Sequence, residues 1–383
     1  MNRVSINTDL IRWAVDRSGM DEAVLAERFQ KLPQWKAGNV QPTFKQLEEF
    51  AKVTLTPFGA FFLSAPPEEK MPLPDFRTMR SQRPRRPSAA LLETIYEMQR
   101  RQEWMRDYLV DVGSAPLSFI GTVTLASSPL AAAESIRQTL GMESGWAERH
   151  SDWTHALLGL RRAVEDTGVL VVINGVVGNN THQRLDPEEF RGFVLCDDYA
   201  PLIFMNGADF KSAQMFTLAH ELAHLWLGKD GVFNLLDLQP FEAEVEQFCN
   251  RVAAEVLIPT AELENCWPGV KASDDPFRDL ARRFKVSPMV AARRVLDHGL
   301  ISPEKFFSFL QADRDAEKQK QQKRAGGGDF YRTQEVRAGH RFGGAVIRAA
   351  REGRLLYRDA YRLTGLSGKT FDQFSEQLGF SRA

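Results

Sequence analysis

The segment 216–228, FTLAHELAHLWLG, is almost wholly apolar, yet it holds His220, Glu221 and His224. No other feature constrains the chain as tightly. A helix apolar on every side is a buried helix. Phe216, Leu218, Ala219, Leu222, Ala223, Leu225, Trp226 and Leu227 surround the three polar residues on this one. Burying two imidazoles and a carboxylate without partners costs several kcal/mol. One cation would partner all three, whereas a metal-free interior would need a separate hydrogen-bond partner for each. Residues i and i+4 of a helix share a face, so His220 and His224 can aim a ring nitrogen at one ion. Glu221 is rotated by about 100° from His220, beside the ion rather than on it. That is where the general base for a zinc-activated water belongs.

A catalytic zinc keeps three protein ligands and one open position. The next amphipathic run, 240–259, reads as a helix, PFEAEVEQFCNRVAAEVLIP, and its buried side is set by Val245, Phe248, Val252, Ala253, Val256 and Leu257. Its polar candidates are Glu242, Glu244, Glu246 and Asn250. Glu246 lies beside the buried face, one turn before Asn250, and is the preferred third ligand. Glu242 is the fallback, and an exposed charge is the ordinary reading of both Glu242 and Glu244. Asn250, at i+4, would hold a ligating histidine or Glu246 itself from behind.

At 383 residues the chain is too long for one small core, and two or three domains are expected. Apolar content of 43% and charged content of 26% describe an ordinary globular protein. A net charge of −1 argues against nucleic-acid binding by the chain as a whole, but not against a local basic patch. Cys196, Cys249 and Cys266 lie far apart without a CxxC, which fits a reducing cytoplasm and excludes a cysteine zinc knuckle. The opening residues lack the pattern of a signal peptide. No apolar stretch reaches the ~20 residues of a membrane span, so no membrane partner is expected.

The pattern predicts an α+β chain in five parts. Residues 1–63 read as short helices, and 64–88 as a Pro-rich connector holding RPRRP. Residues 89–310 carry helices, then three apolar strands in 169–178, FRGFVLCDD and APLIFMNGAD, then at once the histidine helix. A helix-turn-helix-like stretch follows at 276–299, with Val286 and Ser287 at the turn. Residues 311–328 form a charged run ending in three glycines, a linker or frayed helix end, and 329–383 are helical and basic.

Two stretches resemble known families. Trp35, Gly38, Pro42 and Thr43 form the W-x-x-G-x-x-x-P-T stretch that follows the recognition helix in the phage-repressor (Xre) family, and 1–63 resembles its helix-turn-helix domain. The resemblance implies DNA or protein as partner. The residues that could reach base edges are few, chiefly Gln30, Gln34 and Lys36, and the would-be recognition helix is short and holds Pro33. FTLAHELAHLWLG followed by VEQFCNRVAAEVLIP resembles the ImmA/IrrE metallopeptidases, with Glu246, Cys249, Asn250, Ile258 and Pro259 at the matching positions. Phe248 replaces the second acid of that family's Glu-x-Glu pair.

This second resemblance implies a zincin-like fold, one Zn2+ per chain, and a gluzincin-type site of His220, His224 and Glu246 with Glu221 as base. It also implies site-specific cleavage of a repressor- or antitoxin-type regulator. Strand 202–206, LIFMN, with Phe204 and Asn206, would be the sheet edge that pairs with an extended substrate, as in zincins generally. For the oxyanion, His155, His182 and Tyr199 are candidates whose ordinary reading is structural. The competing reading of the whole chain is a DNA-binding regulator or antitoxin with a structural zinc.

Overall fold

The computed structural model describes residues 3–69, 72–73, 87–233, 244–321 and 337–380. The fold is mixed α+β, mostly helical with a small sheet. It divides into two compact units. Among the described residues, the smaller holds 3–69, 72–73, 87–97 and 176–185, and the larger holds the rest.

The smaller unit opens with four short helices, α1 (Thr8–Ser18), α2 (Glu22–Arg28), α3 (Leu32–Lys36) and α4 (Phe44–Val53). Their starts are written in the sequence. The side chains of Asn7 and Asp21 accept amides of the first turns of α1 and α2, and Thr43 with Gln46 forms a capping box on α4. Trp35 is turned inward against Phe29 and Phe50, so α3 contributes its largest side chain to the core. Gln30 and Gln34 are exposed, and Lys36 is tied to Glu22 at 2.6 Å.

The larger unit contains a four-stranded sheet in the order β1-β5-β4-β6. Strand β1 (Leu170–Asn174) runs parallel to β5 (Leu202–Asn206). Strand β4 (Gly192–Leu195) is antiparallel both to β5 and to β6 (Gly231–Phe233). The run 169–178 is therefore not one strand. It breaks at Gly175, and β2 (Val176–Val177) pairs instead with β3 (Asn180–Arg184). Gly175 and Gly207 lie back to back: a β-carbon on Gly175 would stand 2.8 Å from the Ala208 nitrogen, and one on Gly207 would stand 2.9 Å from the Gly175 nitrogen. The ends of β1 and β5 approach too closely there for any side chain.

Strand 202–206 is also not a sheet edge. It is hydrogen-bonded on both sides and all five residues are buried. An unbroken apolar run is what an interior strand requires.

After α5 (Ala89–Asp111), helices α6 (Pro129–Thr139) and α7 (Trp153–Asp166) precede the sheet, and α8 (Lys211–Leu227) follows β5 at once. Helix α9 (Glu244–Leu257) then packs along α8 and α6. Helix α10 (Thr260–Val270) holds Pro268 and Gly269 in its last turn. Helices α11 (Pro276–Phe284) and α12 (Pro288–Asp297) flank a turn in which Lys285 is left-handed (φ 54°) and Ser287 caps α12. Helix α13 (Pro303–Gln321) takes in the first part of the charged run, whose remainder, 322–328, lies outside the described residues. Most of the Pro-rich connector lies outside them too. Among the described residues no helix is long and apolar enough to cross a membrane.

The C-terminal helices α14 (His340–Arg351), α15 (Tyr357–Thr364) and α16 (Lys369–Gln377) are anchored on the larger unit at the start of α14. Glu165 of α7 accepts the His340 amide at 2.9 Å and pairs with the buried Arg161 at 3.1 Å. The Arg101 guanidinium donates to the Arg337 carbonyl at 2.9 Å. Gly339 is left-handed (φ 81°), and a β-carbon there would sit 3.0 Å from the Val171 carbonyl oxygen of β1. A carboxylate at a helix N-terminus meets both the free amides and the positive end of the dipole. Replacing Glu165 by Ala should therefore lower hydrogen-exchange protection across α14 by about a hundredfold or more, as expected for a broken buried ion pair. Unchanged protection would mean that the apolar contacts of α14 alone hold it.

Candidate metal centre

Helix α8 is buried from Ala213 through Leu227 and stops at Gly228, whose left-handed backbone (φ 63°) donates its amide to the carbonyls of His224 and Leu225. It is flanked by α6, α7 and α9 and by strands β4 and β5. His220 and Glu221 are 0% exposed, His224 1% and Glu246 2%, so none is a surface charge.

The donors converge. His220 Nε2 and His224 Nε2 are 3.1 Å apart. Glu246 reaches across from α9, with Oε2 3.1 Å from His220 Nε2 and Oε1 3.2 Å from His224 Nε2. Tetrahedral ligands at about 2.0–2.1 Å from zinc stand about 3.3 Å from one another, so these separations suit one shared ion. Among the described residues this is the one group of three or more potential ligands that comes together.

The protonation states point the same way. Asn250 Oδ1 accepts from His220 Nδ1 at 3.0 Å, which fixes the proton there and leaves the Nε2 lone pair facing the other donors. Burial lowers the His220 pKa against the opposing pull of Glu246. Burial alone would raise Glu246, but its contacts with His220 and His224 outweigh that and hold it below the usual carboxylate range. Lone pairs and a carboxylate that face one point repel one another unless a cation lies between them. The residues present therefore fit a divalent metal.

Glu221 stands apart from this cluster. Neither of its oxygens has a hydrogen-bond partner among the described residues. Burial first, and then the charge of Glu246, push its carboxyl well above the usual range. Two thiols lie close by. Cys196 Sγ is 3.9 Å from the His224 carbonyl oxygen, and Cys249 adjoins Asn250 on α9. Burial and neighbouring carboxylates raise both thiols, which keeps them protonated and poor as ligands.

The remaining expected site residues are placed elsewhere. Phe204 stacks on Phe193 at 4.9 Å inside the sheet, and the Asn206 amide donates to the Phe190 carbonyl while its oxygen accepts the Ala208 amide. Asn206 thus shapes the turn into α8. Since β4 and β1 already occupy both sides of β5, neither residue offers backbone to a substrate. His155 is exposed and pairs with Asp152, His182 is exposed on β3, and Tyr199 lies in a turn where Asp197 accepts its amide. Glu244 is exposed, and Glu242 lies outside the described residues. Sequence reasoning missed Gly192, which lies against Glu221. Its signal was a glycine inside an apolar strand, FRGFVL.

Residues 164–296 match the IrrE N-terminal-like domain, Peptidase_M78. The match covers about a third of the chain, from the end of α7 nearly to the end of α12. It supports the ImmA/IrrE resemblance over that stretch and suggests a metallopeptidase. Residues 338–377, the anchored C-terminal helices, match a domain of unknown function, DUF8813. No curated protein matches the chain.

The raised carboxyl makes a prediction for the metal-free protein. Glu221 contributes no ionisation penalty below the unfolded carboxylate pKa of about 4.3, and a growing one as pH rises toward its folded value. Glu221→Gln removes that penalty. With chelator present, the variant should gain in melting temperature over wild type, and by more at pH 8 than at pH 5. An equal difference at both pH values would contradict the assignment.

Proposed function

We propose that the protein is a zinc-dependent endopeptidase that cuts one or a few regulatory proteins of the repressor or antitoxin type. The observation that carries the reading is the convergence of His220, His224 and Glu246 beside a buried Glu221 that has no hydrogen-bond partner among the described residues, on a stretch that matches a peptidase domain. His220, His224 and Glu246 would hold the ion as a gluzincin-like set. When bound, zinc supplies Lewis acidity to the scissile carbonyl and makes water nucleophilic near neutral pH. Glu221 takes the proton from the attacking water and returns it to the leaving amine. Asn250 holds the His220 ring in the tautomer that presents Nε2.

Other features favour the same reading. A structural zinc is usually closed by four protein ligands, whereas this cluster supplies three among the described residues. That weighs against a DNA-binding regulator with a structural zinc. The Xre-like resemblance of 1–63 supports recognition of a partner. With Lys36 paired to Glu22 and Arg28 to Glu49, α2 and α3 offer little free positive charge for DNA, and a protein partner suits that surface better. The free cysteines fit a cytoplasmic protein.

The test compares zinc-loaded wild type with Glu221→Gln on extracted cellular protein, reading new N-termini by mass spectrometry. Wild type should create a few specific termini, and Glu221→Gln should retain zinc while cutting about 10²–10⁴-fold more slowly. Equal cutting by the variant, or no new termini with either, would overturn the proposal. Asn250→Ala should weaken zinc affinity about 10–100-fold in a competition titration with a chelating dye.

A further inference from the structure

Gly192 lies in the interior strand β4, opposite Met205 on β5 and Phe233 on β6. Its φ is not among the positive values that demand glycine. A glycine in a strand costs conformational entropy and contributes no packing, so space rather than backbone freedom explains it. A β-carbon at 192 would stand 2.7 Å from Thr217 Cγ2, 2.9 Å from the Phe204 carbonyl oxygen and 3.0 Å from Glu221 Oε1.

Two of those neighbours, Thr217 and Glu221, are one turn apart on the face of α8 that meets the sheet. Thr217 Oγ1 donates to the Ala213 carbonyl at 3.1 Å, which holds its methyl toward Gly192. Backbone at Phe204 cannot swing aside. The Glu221 carboxylate is held by no protein hydrogen bond among the described residues. Its position is set by the shape of what surrounds it, and Gly192 is one wall of that shape.

We infer that Gly192 is a positioning residue for Glu221: its bare Cα leaves the space in which the carboxylate stands, and so sets where it lies relative to the His220–His224–Glu246 donors. This rests on the reading of Glu221 as the base. A methyl group at 192 displaces the Glu221 carboxylate, which no hydrogen bond among the described residues holds, while His220, His224 and Glu246 hold one another in place.

The test uses full-length protein loaded with Co2+, whose visible spectrum reports the ligand set, and acetohydroxamate as probe. A hydroxamate chelates the metal and hydrogen-bonds to the adjacent base. Four proteins are compared: wild type, Gly192→Ala, Gly192→Ala with Thr217→Ser, and Glu221→Gln. Gly192→Ala should bind one Co2+ with the wild-type spectrum yet bind acetohydroxamate about tenfold or more weakly, as for loss of a hydrogen bond to a charged group. Adding Thr217→Ser removes the nearest methyl, lets the new β-carbon retreat from Glu221, and should restore part of the affinity. A lower melting temperature with unchanged hydroxamate affinity would make Gly192 merely structural and overturn the inference. Unchanged affinity in Glu221→Gln, or no Co2+ in the wild type, would instead overturn the reading of the site itself.

Discussion

Two imidazoles and two carboxylates buried around the apolar helix α8 form the constraint on which the rest of the structure depends. Left to themselves they would cost several kcal/mol. A cation reverses that sign, and the protein holds the donors in the forms a cation needs. Asn250 holds the His220 ring by Nδ1 so that Nε2 faces the other donors, and contacts with the two histidines hold Glu246 below the usual carboxylate range. The apolar flanks of α8 then do two things. They bury the helix, and they keep water from weakening the electrostatic interactions of the centre.

The scaffold follows from this need. Helix α8 must be covered on all sides, by α6, α7 and α9 and by the sheet strands β4 and β5. Close approach to the sheet needs small residues, and glycines stand at the tight points: Gly175 and Gly207 where β1 and β5 end, and Gly192 beneath Glu221. At the β1 edge of the sheet, Gly339 comes against Val171 and Glu165 caps α14, so the C-terminal helices are built onto the same unit as the metal centre.

What the sequence made legible was chemistry tied to helical spacing. The positions i and i+4 put His220 and His224 on one face, and the same rule linked Glu246 to Asn250 one turn along α9. His220 and His224 meet each other, and Glu246 and Asn250 both reach His220 from α9, because a helix maps spacing onto space without help from the rest of the fold. Sheet order has no such map. LIFMN reads as a strand, but nothing in it says that β1 and β4 flank it, and the expectation of a substrate-pairing edge failed there. Strand β3, with the polar NTHQR, and the three-residue β6 carry too little pattern to stand out. Helix α10 runs through Pro268 near its C-terminal end, where the ring gives up one helix hydrogen bond. Gly192 gave only a partial signal, a glycine inside an apolar strand, since its meaning lies in what it faces on α8.

The central claim is that His220, His224 and Glu246 bind one metal through two imidazoles and a carboxylate, with the nearby thiols left out. X-ray absorption at the zinc edge on purified, zinc-loaded protein tests it most directly. The account predicts one zinc in a shell of nitrogen and oxygen at about 2.0–2.1 Å, with the multiple-scattering signature of two histidines and no sulfur at about 2.3 Å. A shell containing sulfur, or no bound zinc after loading, would contradict it.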